Sequence, residues 1–124
     1  MSEQLAILIW AATPERPELV VTPLVHALAA RALDARVEIH FAGPAVRWLV
    51  EGLADTAWPS ASRDKSVGDF LREVAAEDVR LLACGMARAA WVGEHECLVA
   101  QAASAGATAF VARVLDPHWH TLTF

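Results

Sequence analysis

Short apolar runs alternate with segments of helical periodicity, and this alternation constrains the fold more than any other feature. Residues 5–10, Leu-Ala-Ile-Leu-Ile-Trp, form an unbroken apolar run of the kind found in strands buried on both faces of a sheet. Residues 79–83, Val-Arg-Leu-Leu-Ala, predict another buried strand. Between them, Thr22-Pro23 predicts a helix start, with Thr as the N-cap and Pro at the first helical position.

The remaining segments extend this alternation along the chain. Residues 36–41 alternate polar and apolar side chains, which predicts a half-buried strand near a sheet edge. Ser66-x-x-Asp69 resembles a capping box at the start of a helix. We also predict a short helix over 43–50, a helix over 94–105, a strand over 108–115 and a final strand over 120–124. We therefore expect an α/β fold, a three-layer α/β/α sandwich around a largely parallel sheet of about five strands, in one domain over residues 1–124.

Charge and hydropathy exclude several classes of function. The net charge is −5 and no basic cluster is longer than a pair, so the sequence lacks an electrostatic footprint for nucleic acid. No apolar stretch approaches the roughly 20 residues of a membrane helix, and the first apolar run has no basic segment before it. With two cysteines and no C-x-x-C, we expect a cytoplasmic protein with free thiols and no membrane contact.

Cys84 is the strongest candidate for chemistry. Ligands of open α/β sheets bind at the carboxyl ends of the strands, and Cys84 follows the predicted strand 79–83. A helix starting there would favour a thiolate through its backbone amides, which include those of Gly85 and Met86, and Arg88 would add positive charge. A cysteine that ends an apolar strand is equally typical of a packed core residue. The sequence leaves both interpretations open.

Other residues near predicted strand ends are candidates for the walls of a pocket. The chain has five tryptophans and no tyrosine, and aromatic side chains of this kind line pockets and interfaces. We favour an interface for Trp48 and Trp91, and an inert helical setting for Cys97. The candidate pocket residues are Trp10, Thr13, Gly43, Trp58 and His118.

Motifs for cofactors and metals are missing from the sequence. No G-x-G-x-x-G, Walker loop or G-x-S-x-G is present. The histidines and cysteines do not follow a recognised zinc spacing. We expect neither a cofactor nor a metal.

The segments described above resemble the DsrE/DsrF-like family. Residues 7–33 resemble its first strand and helix, and 37–46 its second strand and the following turn. Residues 66–85 resemble a helix and a strand that ends in Cys-Gly, and 122–124 resemble the terminal strand. The resemblance implies an α/β/α sandwich assembled into small oligomers, homo-oligomers or assemblies with related subunits. It also implies a persulfide carried on the cysteine that matches Cys84. The second cysteine that some members carry after Cys-Gly is missing here.

Two hypotheses of function follow. In the first, the chain is a sulfur-relay component, a sulfurtransferase-like persulfide carrier in which Cys84 accepts sulfur from a donor protein and passes it to an acceptor. In the second, it is a non-catalytic oligomeric interaction module in which Cys84 is packed and unreactive. Exposure and reactivity of Cys84 distinguish the two.

Overall fold

The computed structural model describes residues 3–124 and contains a five-stranded sheet in which every neighbouring pair of strands is parallel. The strand order is β4-β3-β2-β1-β5. The strands are β1 (Gln4–Ile9), β2 (Arg36–Phe41), β3 (Arg80–Ala83), β4 (Ala102–Ser104) and β5 (His120–Thr123). The predicted parallel α/β sheet is thus confirmed.

Helices cover both faces of the sheet. On one face, α1 (Pro17–Ala32) packs against α2 (Val67–Ala76) and over β1 and β2. On the other face, α4 (Ala107–Leu115) packs against β1 and β5. The short helix α3 (Gly85–Trp91) contacts a 3₁₀ helix (Gly43–Leu49) that follows β2, and a single 3₁₀ turn covers Ala54–Thr56. This three-layer arrangement is the predicted one.

The main core lies between the sheet and the pair α1 and α2. Helix α1 buries Val20, Leu24 and Ala27, and α2 buries Val67, Leu71 and Val74, so both follow the four-three spacing of a helical stripe. The capping box of α2 is present. The Asp69 amide donates to Ser66 Oγ at 3.0 Å, and the Ser66 amide donates to Asp69 Oδ2 at 3.1 Å.

Helix α1 begins at Pro17, and the predicted start at Thr22-Pro23 is wrong. Pro17 occupies the first turn, where its missing N–H costs nothing, and the Glu18 carboxylate lies in the same turn. Pro23 is inside the helix and removes one hydrogen bond. Val20 is fully buried in the preceding turn, so the longer helix extends the apolar stripe that packs on the sheet.

Strand β2 is the central strand, and the prediction of a half-buried strand near an edge is wrong. All its residues after Arg36 are buried. Val37, Ile39 and Phe41 point to the main core, while Glu38 and His40 point to the face under α4. The polar alternation indicates a buried polar network and not a solvent-facing side.

The predicted helix over 94–105 and the predicted strand over 108–115 are both wrong. Residues 92–101 are irregular because their backbone pairs with the segment after the 3₁₀ helix. The Val99 amide donates to the Leu49 carbonyl at 2.8 Å, and the Glu51 amide donates to the Cys97 carbonyl at 2.8 Å. Residues 107–115 form α4, although Thr108, Val111 and Val114 are β-branched and favour strands.

Trp48 is a core residue, so its assignment to an interface is wrong. Its side chain is fully buried, and its indole Nε1–H donates to the Ala12 carbonyl at 2.7 Å. A buried indole needs such a partner, and here it fixes the loop after β1 against the 3₁₀ helix. Trp91, in contrast, is exposed on α3.

Candidate functional site at the carboxyl edge of the sheet

Cys84 lies directly after β3 at the carboxyl edge of the sheet. Its backbone has extended dihedral angles, and its amide donates to the Phe41 carbonyl at 3.1 Å, which continues the ladder between β3 and β2 by one residue. Side chains alternate along a strand, so Cys84 projects to the same side of the sheet as Leu82, the side covered by α4. The thiol is partly buried.

The Cys84 side chain lines a cavity of about 210 Å³ between the sheet and the N-terminus of α4. Leu8 and His40 contribute from β1 and β2, and Phe110 and Val111 contribute from α4. Apolar walls of this kind exclude water around a reacting group. The carboxyl edge is also where parallel α/β sheets bind ligands. A partly open cavity therefore lies at the edge of the sheet where the sequence predicts a site.

His40 is the polar side chain in the wall of this cavity, and it is 4% exposed. Its Nε2 lies 2.9 Å from Oε1 of Glu38. The imidazole also packs edge-on against Phe110, with the ring centroids 5.2 Å apart. No hydrogen bond to Nδ1 of His40 is formed within residues 3–124. Every fully enclosed side-chain nitrogen in this range has a hydrogen-bond partner. Since Nδ1 of His40 has none, Nδ1 is not fully enclosed and borders accessible space.

The buried carboxylate of Glu38 contacts His40. Glu38 is 2% exposed and accepts hydrogen bonds from Arg113 of α4, at 2.8 Å from Nε and 3.4 Å from Nη2. Burial alone would raise the pKa of Glu38, but the hydrogen bonds from Arg113 and His40 outweigh it, and the pKa lies below its ordinary value. Glu38 is therefore a carboxylate that can only accept hydrogen bonds near neutral pH.

The N-terminus of α4 forms another wall of the cavity. Gly106 is its N-cap residue and supplies no side-chain cap, and both Gly106 and Ala107 line the cavity. The first amides of a helix lack intrahelical partners. The cavity thus has a thiol and an imidazole on the sheet side and unpaired amides on the helix side.

The three residues predicted to stabilise a Cys84 thiolate do not line this cavity. Gly85 and Met86 begin α3, which has seven residues, and Met86 is exposed. Arg88 is exposed one turn further on, and its side chain forms no ion pair within residues 3–124. Its contact to Cys84 is the helical hydrogen bond from the Arg88 amide to the Cys84 carbonyl at 2.8 Å.

The structure does not bring the predicted pocket residues to Cys84. Trp10 is exposed where β1 ends, and Gly43 starts the 3₁₀ helix with a φ of +53°. Trp58 lines a separate open cavity with Pro14, the neighbour of Thr13. His118 precedes β5 and lies at the opposite, amino edge of the sheet, because the segment before it is a helix and not a strand.

The second cysteine and the remaining polar residues form no second centre in the described part of the chain. Cys97 is exposed in the irregular segment, so its predicted helical setting is wrong. Across residues 3–124 no group of three His, Cys, Asp or Glu residues could hold a metal ion. No helix in that range is long and apolar enough to cross a membrane.

Comparison with known proteins identifies the family. A sequence model of the DsrE/DsrF-like family matches residues 6–124. The chain belongs to this family. The crystal structure of the YchN protein from E. coli has the same fold as this DsrE/DsrF-like chain. The TM-score is 0.77 and the sequence identity 16%, with 100% of each chain covered. No curated protein matches the sequence.

Membership in the DsrE/DsrF-like family confirms the resemblance seen in the sequence. The family is associated with sulfur relay, and its members commonly form oligomers. Sequence reasoning missed His40, Phe110 and the Gly106–Ala107 start of α4 as neighbours of Cys84. The pattern Glu38-x-His40 in an otherwise apolar strand was the available indication, since buried polar residues need partners.

Proposed function

We propose that this DsrE/DsrF-like protein is a sulfur-relay component that carries sulfane sulfur as a persulfide on Cys84. The observation that carries the proposal is the placement of Cys84 in the wall of a partly open, mostly apolar cavity at the carboxyl edge of the sheet. A structural cysteine would be expected within the main core, whereas Cys84 only borders it and remains partly accessible.

In the proposed reaction, the Cys84 thiolate attacks the outer sulfur of a donor persulfide, R–S–SH. A new S–S bond forms at Cys84, the donor S–S bond breaks, and the donor leaves as a thiolate that takes up the proton released by Cys84. The products are Cys84–S–SH and R–SH, so no external oxidant or reductant is needed. The apolar walls would keep the persulfide away from water and soluble oxidants.

Amides at the start of α4 would stabilise the anionic sulfur, because unpaired N–H groups and the helix dipole favour negative charge. Arg88, with the Gly85 and Met86 amides, would contribute from the side of α3. Because Arg88 is solvent-exposed, its effect should be screened by salt. We expect Arg88→Ala to slow alkylation of Cys84 by less than about twofold in low salt.

Self-association is part of the proposal. Helix α4 has no fully buried residue and exposes Val111, Val114 and Leu115. Apolar side chains grouped on one helix are typical of a protein–protein interface. A homo-oligomer built on this surface would cover the exposed apolar side chains of α4. The donor and acceptor proteins of the relay would bind near the same edge.

Persulfide loading tests the proposed function. Wild type, Cys84→Ser and the matched control Cys97→Ser are incubated with a low-molecular-weight persulfide, and intact-protein mass spectrometry counts added sulfur atoms. We expect one sulfur on wild type and on Cys97→Ser, and none on Cys84→Ser. Loading confined to Cys97, or no loading on the folded protein, would replace the proposal with the interaction-module hypothesis.

A further inference from the structure

His40 and Cys84 are diagonal neighbours on adjacent strands. In the register between β2 and β3, His40 is paired with Leu82, and Cys84 is two residues further along the same ladder. All three side chains project to the side covered by α4. Parallel strands lie about 4.8 Å apart and rise about 3.3 Å per residue, so the Cα atoms of such diagonal neighbours are roughly 8 Å apart, within reach of an imidazole. Both His40 and Cys84 line the same cavity.

The carboxylate of Glu38 determines which nitrogen of His40 carries the proton. An ionised carboxylate only accepts hydrogen bonds, so the nitrogen 2.9 Å from it, Nε2, must be the donor. A neutral imidazole has one protonated nitrogen, and its Nδ1 is then an unprotonated acceptor. That nitrogen has no protein partner within residues 3–124 and borders accessible space. His40 lines the cavity beside Cys84, so we take this cavity to be the space that Nδ1 faces.

We propose that His40 is the proton acceptor for the Cys84 thiol and that Glu38 is the positioning residue that keeps Nδ1 of His40 free for this role. The inference rests on the site of the proposed function but concerns the thiol itself, whatever group is later transferred. A nucleophile, a base and a third group that orients the base are the parts of an activated-cysteine site.

The proton transfer is balanced within these residues. The S–H bond of Cys84 breaks and its electron pair stays on Sγ, while an N–H bond forms at Nδ1 of His40. The resulting imidazolium donates from Nε2 to the Glu38 carboxylate. When a donor persulfide gives up its outer sulfur, the imidazolium returns the proton to the departing thiolate.

The charged groups around His40 come from three elements. Glu38 is on the same strand, and Arg113 of α4 donates to the same carboxylate oxygen that Nε2 of His40 contacts. Arg80 of β3 lies 3.8 Å from Glu38 Oε2. The carboxylate therefore remains ionised, and the two guanidiniums hold it in place beside Nε2.

The pH dependence of alkylation tests His40. Iodoacetamide labelling of Cys84 is measured in the Cys97→Ser background from pH 6 to pH 10 for wild type, His40→Gln and the exposed control His26→Gln. An unassisted cysteine is a few per cent thiolate at pH 7, so His40→Gln should slow labelling there by about tenfold. The difference should disappear at high pH, where the thiol ionises alone. Equal rates at pH 7, or an equal loss at every pH, would refute the role of His40.

Nitrogen NMR of the imidazole tests Glu38. In wild type, the ¹⁵N shifts of the neutral His40 ring, read at the high-pH end of the range, should show a protonated Nε2 and an unprotonated Nδ1. Glu38→Gln replaces the acceptor-only group with an amide, so the other tautomer should become populated and labelling at pH 7 should slow. Glu51→Gln is the exposed control. A neutral wild-type ring that is protonated at Nδ1, or an unchanged tautomer in Glu38→Gln, would overturn the proposal, and the wild-type spectrum alone decides if that variant does not fold.

Failure of this inference and failure of the proposed function are distinguishable. If His40→Gln slows alkylation as expected but Cys84 accepts no sulfur, the persulfide role falls and the proton acceptor stands. If Cys84 loads sulfur normally and His40→Gln alkylates at the wild-type rate, the proton acceptor falls alone.

Discussion

Replacing Arg113 with Met removes the guanidinium that binds the buried Glu38 carboxylate. The variant keeps an unbranched apolar stem against Trp119, over which the guanidinium carbon of Arg113 lies 4.0 Å from the ring centroid. It removes both hydrogen bonds to Glu38, which is 2% exposed. Glu38 is then left with His40 and with the more distant Arg80.

The cost follows from the burial of each partner. Removing one partner of a buried ion pair typically destabilises a protein by about 3–5 kcal/mol. The Arg113 side chain is 30% exposed, so part of its attraction is already screened by water. We therefore expect the free energy of unfolding at pH 7 to fall by about 2–3 kcal/mol, below the range for fully buried pairs.

The cost should shrink as the solution becomes more acidic. In wild type the pKa of Glu38 is below its ordinary value, so its stabilising contribution is present above about pH 4.3 and is lost as the pH falls through the folded pKa. In Arg113→Met the burial that raises the pKa remains and the main opposing contacts are gone. The pKa of Glu38 should then exceed its unfolded value, and protonation should relieve the penalty as the pH falls towards about 4.

Urea denaturation at pH 7, 6, 5 and 4 measures this difference at one protein concentration. The matched control is Arg80→Met, because Arg80 is 53% exposed and lies 3.8 Å from Glu38. It should cost less than about 1 kcal/mol. A difference between wild type and Arg113→Met that is independent of pH, or that grows on acidification, would refute the assignment of Glu38 as a buried carboxylate held by Arg113.

Three further outcomes can be measured directly. Trp48→Phe should lower the free energy of unfolding by about 1–3 kcal/mol, because it leaves the Ala12 carbonyl without its indole donor, and urea unfolding checks this. Enlarging the alkylating reagent from iodoacetamide to a polymer-linked maleimide should slow Cys84 far more than the exposed Cys97, and comparable slowing would show that the cavity does not restrict access. Light scattering should give a mass of two or more times 13.4 kDa, and Leu115→Glu should reduce it. Leu33→Glu is the matched control and should leave the mass unchanged, because Leu33 is 83% exposed and Leu115 77%.

The sequence predicted the sheet and the position of Cys84 because both depend on short-range patterns. The apolar runs at β1 and β3 and the capping box of α2 are local features, and each predicted its element. The strand-end rule then placed Cys84 at the carboxyl edge without knowledge of the strand order.

The partners of Cys84 were not predicted because they depend on long-range contacts. The helical stretch expected over 94–105 is overridden by Arg47, which binds Glu96 from the 3₁₀ helix, and by backbone pairing to Leu49. The β-branched residues of α4 favoured a strand, but the segment is a helix that leaves Val111 and Val114 exposed and turns Phe110 and Arg113 towards His40 and Glu38 of the sheet. Because residues 107–115 are a helix and not a strand, Phe110 lies in the wall of the cavity and His118 lies at the opposite edge of the sheet. The buried network of Glu38 and His40 depends on Arg113, which is 75 residues away from Glu38 in the sequence.

The two walls of the Cys84 cavity differ in how readily they can move. The floor belongs to β1, β2 and β3, which are hydrogen-bonded on both sides, whereas the cover is a nine-residue surface helix without one fully buried side chain. Helices of this kind open locally at a lower free energy than global unfolding. Amide hydrogens of α4 should therefore exchange faster than those of β2. Admission of a large sulfur donor would then require only a fluctuation of α4, while the sheet that holds His40 and Cys84 stays rigid.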